Sequence, residues 1–191
     1  RFHIFSEKAL CNRCSMSTAM RKGYIHIYTG NSKGKTTAAL GLALRAMGAG
    51  LKVFVGQFVK KRICSEHKAL ERFKDLITIR QYGTGFLRAK VLTPSEKASA
   101  KKGLEDVKKA LLSGQYDMVI LDEVNIAVHY GLISADDVLK LLDRKPPETE
   151  VIITGRYADE KLIKKADLVT EMREIKHYFK QGVKARKGIE Y

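Results

Sequence analysis

A glycine-rich loop placed directly between a predicted strand and a predicted helix is the feature that most constrains this chain. The β-branched and aromatic run YIHIY (24–28) leads into TGNSKGKTT (29–37), and apolar residues at helical intervals continue to Met47. A loop in this position directs amide N–H groups and the positive end of the helix dipole at an anion. The context therefore predicts a phosphate-binding loop in an α/β protein.

The loop is one residue shorter than the common pattern G-x-x-x-x-G-K-[ST], because only three residues separate Gly30 from Gly34. Its chemical groups are nevertheless present. Lys35 and Lys33 supply positive charge, and a threonine hydroxyl is available to Mg²⁺. The predicted phosphate-binding residues are Gly30, Asn31, Ser32, Lys33, Gly34, Lys35, Thr36 and Thr37. A shorter loop should position a bound triphosphate differently from the longer loop of an ordinary ATP-hydrolysing enzyme.

Strands and helices are predicted to alternate along the rest of the chain. Predicted strands are 52–58, 78–82, 117–121, 151–156 and 167–172, and predicted helices are 36–47, 93–112, 134 to before Pro146, and 159–165. This order indicates an α/β fold with a mostly parallel central sheet and helices on both faces. Residues 21–191 are expected to form one domain, and residues 1–20 an N-terminal extension that is flexible or unrelated to the core.

Two carboxylates and an arginine follow buried strands of the predicted sheet. Asp122 and Glu123 end the apolar run 117–121, and Arg156 ends the run 151–156. Ligands bind at the carboxyl ends of strands in open α/β sheets, so the two carboxylates are candidate metal ligands beside the phosphate loop. Arg156 is either a further phosphate contact or a solvated residue at the end of a strand.

Composition narrows the class of protein and its partners. The formal net charge is +15, but lysines such as Lys97, Lys101 and Lys108 lie along helical stretches and indicate solvated helix faces, so no nucleic-acid partner is expected. No run of eighteen apolar residues is present, and no membrane partner is expected. The cysteines, Cys11, Cys14 and Cys64, are too few and unpaired for a disulfide framework, which favours the reducing cytoplasm.

Six segments that lie in order between residues 23 and 191 match the pattern of one family. They are GNSKGKTTAALGLALRAMG, VGQF, GTGF, DMVILDEVNIAVHYGLI, VIITGR and KHYFKQGVKARKGIEY. In these segments the chain resembles the ATP:corrinoid adenosyltransferases, which adenosylate cob(I)alamin and related corrinoids. The shortened loop and the last segment are the most specific of the six.

The resemblance implies a RecA-like P-loop fold, a homodimer, Mg²⁺ and ATP as adenosyl donor, and a corrinoid acceptor. Cobalt in the Co(I) state attacks the 5′ carbon of ribose, and triphosphate leaves. ATP in this family lies reversed relative to ordinary P-loop enzymes. A small flavoprotein is a plausible source of electrons, and the acceptor is cobalamin, cobinamide or an early cobyrinic acid.

The resemblance also assigns roles to particular residues. Lys35 should neutralise the triphosphate, Thr36 and Glu123 match the Mg²⁺ ligands, and Asp122 is a ligand or the partner of one. Phe86 matches an aromatic residue that faces the corrin and displaces its lower axial ligand, which makes Co(II) easier to reduce. One departure is Arg88, which stands where the relatives have tryptophan.

Two other functions fit the residues. A RecA-like ATPase or kinase would use Glu123 to position water or a hydroxyl for attack on phosphorus. A nucleotide-gated binding protein would deliver a corrinoid or nucleic acid without chemistry.

Overall fold

Six parallel strands form the centre of the molecule in a computed structural model that describes residues 22–85 and 92–191. The strands are β1 (Ile25–Thr29), β2 (Val53–Gln57), β3 (Ile77–Gln81), β4 (Met118–Asp122), β5 (Glu150–Thr154) and β6 (Leu168–Glu171). The helices are α1 (Lys35–Gly48), α2 (Ser65–Leu70), α3 (Pro94–Leu112), α4 (Val124–His129), α5 (Ala135–Leu142) and α6 (Glu160–Lys165), with 3₁₀ turns at Glu71–Phe73 and Tyr178–Gln181. The predicted α/β class and parallel sheet are confirmed, and the predicted extension 1–20 lies outside the described residues.

Alternation of side chains along the strands divides the core into two layers. On one face, α1 and α2 cover Val53 and Val55 of β2, Met118 and Ile120 of β4, and Ile152 of β5. On the other face, α3 to α6 cover the intervening residues. Since successive strand residues point to opposite faces, apolar runs such as β4 are what a sheet covered on both sides requires. Within the described ranges, every helix is too short or too polar to cross a membrane.

The strand order β3-β2-β4-β5-β1-β6 places three chain segments of interest side by side. Because all strands are parallel, the loop after β1, Thr154 at the end of β5 and Asp122 at the end of β4 meet at one edge of the sheet. β5 lies between the other two, so Thr154 is between the phosphate loop and the carboxylate. The fold itself therefore creates the expected ligand-binding edge.

The observed elements differ from the predicted ones in two six-residue helices. The strands lie within two residues of their predicted bounds, and α3 begins with the predicted capping box, in which Glu96 N donates to Thr93 Oγ1 at 3.2 Å. The sequence analysis missed α2 and α4. α4 follows β4 after a single residue and is six residues long, which is too short to show a helical period in the sequence. α2 is capped by Cys64, which is not among the usual cap residues.

The phosphate loop rests on the chain that follows β6. Met172 N donates to Thr29 O at 2.8 Å, and Ser32 N donates to Met172 O at 3.0 Å. Gly30 has a φ of 98°, and a Cβ added there would lie 2.5 Å from Met172 O. Both the left-handed conformation and the close approach of the two backbones require glycine at this position.

Gly30→Ala should therefore destabilise the protein by about 2–4 kcal/mol, since backbone atoms cannot yield as a flexible side chain can. The measurement is the free energy of unfolding in urea. Gly41→Ala is the matched control, because Gly41 lies in α1 with nothing within 4 Å of an added Cβ. Alanine is the better helix former there by about 1 kcal/mol, so the control should gain stability. Equal effects of the two substitutions would contradict the role given to Gly30.

Candidate functional site

A cavity of about 970 Å³ opens at the edge of the sheet where the phosphate loop lies. Its volume is at the upper end of the range for small-molecule sites, which leaves room for a nucleotide. The walls come from the loop and α1, from the region around α2, and from the carboxyl ends of β4 and β5 with the last residues of the chain. Its polar lining includes Ser32, Lys33, Lys35, Thr36, Thr37, Lys60, Glu66, Glu123, Arg156, His177 and Glu190.

The side chain of Lys35 is folded back on the phosphate loop. Its Nζ donates to Gly30 O at 2.8 Å and to Ser32 O at 2.5 Å, and the residue is buried. Burial lowers the pKa of Lys35, an effect that the carboxylate of Glu123 opposes. Loop carbonyls are weak partners for an ammonium group compared with phosphate oxygens, so a phosphate in the loop would compete well for this lysine.

Asp122 is a fully buried carboxylate that accepts four hydrogen bonds. Thr36 Oγ1 and Thr154 Oγ1 donate to its Oδ1 at 2.8 and 2.7 Å. Gln57 Nε2 and Lys60 Nζ donate to its Oδ2, both at 2.9 Å. A buried negative charge is tolerated when it is paired and its lone pairs are used, and both conditions are met here. Because each oxygen already has two donors, Asp122 is placed to orient Thr36.

Glu123 adopts a backbone conformation that is rare for a residue with a side chain. Its φ is 61° and its ψ is 20°, and its N–H donates to Thr154 Oγ1 at 2.9 Å. The residue lies between β4 and α4 and contributes to the cavity wall. Strained conformations of this kind concentrate at functional sites. Burial, and after it the negative charge of Asp122, raises the pKa of Glu123 above its ordinary value.

Lys60 brings an ammonium group to the carboxylate of Asp122. Its Nζ lies 2.9 Å from Asp122 Oδ2 and 3.0 Å from Thr36 Oγ1. Burial opposes the charge on Lys60, but the carboxylate of Asp122 outweighs it and the pKa of Lys60 lies above its ordinary value. The hydroxyl and carboxylate expected near a metal ion are thus in contact with a lysine.

Three polar side chains support Asp122 from the side of β2. Gln57 Oε1 lies 2.8 Å from His67 Nε2 and accepts a hydrogen bond from Gln81 Nε2 at 3.0 Å. His67 Nδ1 accepts from Cys64 N at 3.0 Å, so the ring donates from Nε2. Cys64, Glu66 and His67 have ligand atoms within 4.8 Å of one another, but both ring nitrogens of His67 are already engaged. His67 is therefore a support for Gln57.

The segment 178–191, which we call the C-terminal strap, closes the cavity on the loop side. Glu190 Oε1 accepts from Lys33 Nζ at 2.8 Å and from the hydroxyl of Tyr178, and Glu190 Oε2 accepts from Arg186 N at 2.7 Å. These hydrogen bonds hold the pKa of Glu190 well below its ordinary value. The last residue of the strap contacts α2, where Ser65 Oγ donates to Tyr191 O at 3.0 Å.

The structure brings most of the predicted site residues to this one cavity. Ser32, Lys33, Gly34, Lys35, Thr36, Thr37, Glu123 and Arg156 line it, while Asp122 lies beneath Thr36. Gly30 acts through its carbonyl, and Asn31 is exposed. His177 caps the last 3₁₀ turn, where its Nδ1 accepts from Phe179 N at 3.1 Å. Phe86 and Arg88 lie outside the described residues.

Sequence analysis missed three contributions to the site, namely Lys60, the pair Gln57 and Thr154, and Glu190 of the strap. Gln57 and Thr154 are polar residues that follow apolar residues at the carboxyl ends of their strands, which is the same signal that singled out Asp122. Lys60 follows β2 by three residues and carries no comparable signal. Glu190 is remote in sequence, and only the fold places it beside Lys33.

Comparison with known proteins agrees with this geometry. The sequence profile of the family "ATP:corrinoid adenosyltransferase BtuR/CobO/CobP" matches residues 21–191. The corrinoid adenosyltransferase of a Sinorhizobium species is 37% identical over 188 residues, covering 97% of this chain and 88% of that protein. The corrinoid adenosyltransferase of Escherichia coli K12 is 39% identical over 171 residues, covering 89% of this chain and 86% of that protein.

A solved structure supports the fold. The flagellar accessory protein FlaH from Methanocaldococcus jannaschii superimposes with a TM-score of 0.56 at 12% identity, covering 78% of this chain and 71% of that one. At this identity the likeness concerns the fold, and it confirms the RecA-like P-loop architecture. The family profile and the curated relatives concern the function. The chain belongs to the ATP:corrinoid adenosyltransferase family and is an enzyme that adenosylates corrinoids with ATP.

Proposed function

We propose that the cavity at the edge of the sheet binds Mg²⁺ and ATP and is where the 5′-deoxyadenosyl group passes to Co(I) of a corrinoid. The observation that carries the proposal is the convergence of Lys35, Thr36 and Glu123 on one cavity, in a chain of this family. In the reaction the electron pair of Co(I) forms the cobalt–carbon bond. The bond between the 5′ carbon and oxygen breaks, and its electron pair leaves with triphosphate.

The residues at Thr36 fit a hard divalent cation. The hydroxyl of Thr36 and the carboxylate of Glu123 are oxygen donors of the kind that Mg²⁺ prefers, and Asp122 holds the hydroxyl in place. We assign Thr36 and Glu123 as ligands and Asp122 as the residue that orients Thr36. A bound Mg²⁺ would neutralise the negative charge that develops on the leaving triphosphate.

Lys35 and Arg156 are assigned to the triphosphate. Lys35 exchanges the loop carbonyls for phosphate oxygens, a stronger acceptor for an ammonium group. Arg156 is exposed on the cavity wall and can reach the same anion. No protein nucleophile is required, because reduced cobalt is itself a strong nucleophile. Lys33 is engaged by Glu190, and we assign it to holding the strap over the cavity.

Three further assignments rest on the family resemblance. The enzyme acts as a homodimer, it receives its substrate reduced by a small flavoprotein, and it works in the cytoplasm where ATP and reductant are available. Cobalamin, cobinamide and cobyrinic acid are the candidate acceptors.

The test of this function is incubation with Mg²⁺, ATP and chemically reduced cobalamin, followed by visible spectra before and after illumination. We expect a light-sensitive alkylcobalamin and inorganic triphosphate. Lys35→Ala should lower the rate about 10²- to 10³-fold, because the leaving group loses a charge partner. Accumulation of ADP and phosphate without alkylcobalamin would indicate an ATPase or kinase instead.

Glu190→Gln should weaken ATP binding about three- to tenfold, because an uncharged amide no longer holds Lys33 and Tyr178 and the strap opens. The measurement is the dissociation constant of ATP by titration calorimetry. Glu148→Gln removes the same charge from an exposed residue at the opposite end of β5 and should leave the constant unchanged. Unaltered ATP affinity in Glu190→Gln would show that the strap does not enclose the nucleotide.

Phe86→Ala should slow the reaction far more when the assay begins from Co(II) than when Co(I) is supplied. The reason is that Phe86 is assigned to displacing the lower axial ligand before reduction and has no part in the attack on carbon. Initial rates in the two assays, compared with the wild type, provide the measurement. Equal losses in both would remove the basis for this assignment.

A further inference from the structure

Lys60 lies beside Asp122, at the point where a cation bound to Thr36 would be found. Its ammonium group is within hydrogen-bonding distance of Thr36 Oγ1 at 3.0 Å and of Asp122 Oδ2 at 2.9 Å. The side chain is 28% exposed, whereas that of Asp122 is 1% exposed. The lysine therefore approaches from the cavity, and the carboxylate lies beneath it.

The hydrogen bonds of Thr36 limit what else can bind there. A hydroxyl has one hydrogen to donate and two lone pairs. Thr36 donates its hydrogen to Asp122 Oδ1 at 2.8 Å and uses one lone pair to accept from Lys60. A divalent cation on the remaining lone pair would lie within a few ångströms of the ammonium group, in a partly buried site where repulsion between charges is weakly screened. Metal ion and lysine thus compete for Thr36.

The displaced lysine has a ready alternative partner. Lysine carries its charge on a flexible four-carbon stem, and Lys60 lines the same cavity as Lys35 and Arg156. A triphosphate in that cavity would offer several charged oxygens to an ammonium group that has lost Thr36 and Asp122. We propose that Lys60 holds the metal position in the nucleotide-free enzyme and moves to the triphosphate when the divalent cation binds. This rests on the proposed metal site at Thr36.

Such an exchange keeps the charge at Asp122 balanced in both states. Without nucleotide, Lys60 neutralises the buried carboxylate, which would otherwise be costly. With Mg²⁺ bound, the metal ion takes over that role and Lys60 adds positive charge to the leaving group. The nucleotide-free site is thereby stable. The ammonium group of Lys60 contacts the triphosphate only in the enzyme that has bound Mg²⁺ and nucleotide.

The test compares Lys60→Met and Lys60→Gln with the wild type in two binding measurements. The first is Mn²⁺ binding to nucleotide-free protein, followed by electron paramagnetic resonance. The second is binding of inorganic triphosphate in the presence of Mg²⁺, followed by calorimetry. Lys61→Met is the matched control, because Lys61 is the neighbouring lysine and is exposed. Lys60→Gln retains a hydrogen-bonding group and guards against a folding defect in Lys60→Met.

We expect both Lys60 variants to bind Mn²⁺ at least about threefold more tightly and triphosphate about tenfold more weakly, with Lys61→Met unchanged. Unchanged or weaker Mn²⁺ binding would overturn the exchange, as would unchanged triphosphate binding. Thr36→Val separates this failure from that of the metal site. If Thr36→Val lowers Mn²⁺ affinity while the Lys60 variants do not raise it, only the role of Lys60 falls. If Thr36→Val binds Mn²⁺ like the wild type, the metal site and the exchange both fall.

Discussion

The buried carboxylate of Asp122 is the group that holds together the carboxyl ends of the central strands. It accepts hydrogen bonds from Gln57 of β2, Thr154 of β5, Thr36 of α1 and Lys60 of the loop after β2. A negative charge removed from water is costly unless its partners are complete, so the carboxylate ties these four segments together. Loss of one partner would leave a buried carboxylate oxygen with one donor fewer. Helix α1 is thereby fixed to β4, the strand that Glu123 directly follows.

The arrangement explains why the groups of the candidate site are neighbours although they are far apart in sequence. Thr36 and Asp122 are 86 positions apart, and Thr154 is 32 positions from Asp122. Parallel strands with the order β4-β5-β1 bring all three to one edge. The shortened loop keeps its helix dipole, its lysine and its threonines in that position. The groups of the candidate site come from the carboxyl ends of several strands, and the phosphate loop supplies only some of them.

Much of this fold was predictable from local patterns. The apolar runs that became β4 and β5 have no periodicity of their own, but their length and flanking polar residues indicated strands of a parallel sheet. Thr93 and Glu96 marked the start of α3 by a mechanism that acts within four residues. α4 escaped prediction because its six residues are too few to show a helical period. Composition cannot separate a short buried helix from a strand.

The candidate site was predictable only where the signal is local. Asp122 and Glu123 stand out as charges that end an apolar run, and Lys35 belongs to a loop with a known pattern. Lys60 and Glu190 were missed because their importance depends on tertiary contacts. Glu190 meets Lys33 across 157 positions, and Lys60 meets Thr36 across 24. The charge of such residues is visible in the sequence, but their partners are not.

The edge strand β6 has a consequence for the durability of the candidate site. All four of its residues are exposed, and among the described strands it pairs with β1 alone. Strands with little burial open more readily than central ones. Yet Met172, which directly follows β6, is hydrogen-bonded to the backbone at both Thr29 and Ser32. The least buried strand of the sheet thus leads into the residue that anchors the phosphate loop. Brief local opening of β6 would release these two hydrogen bonds to the loop without any change in the buried strands.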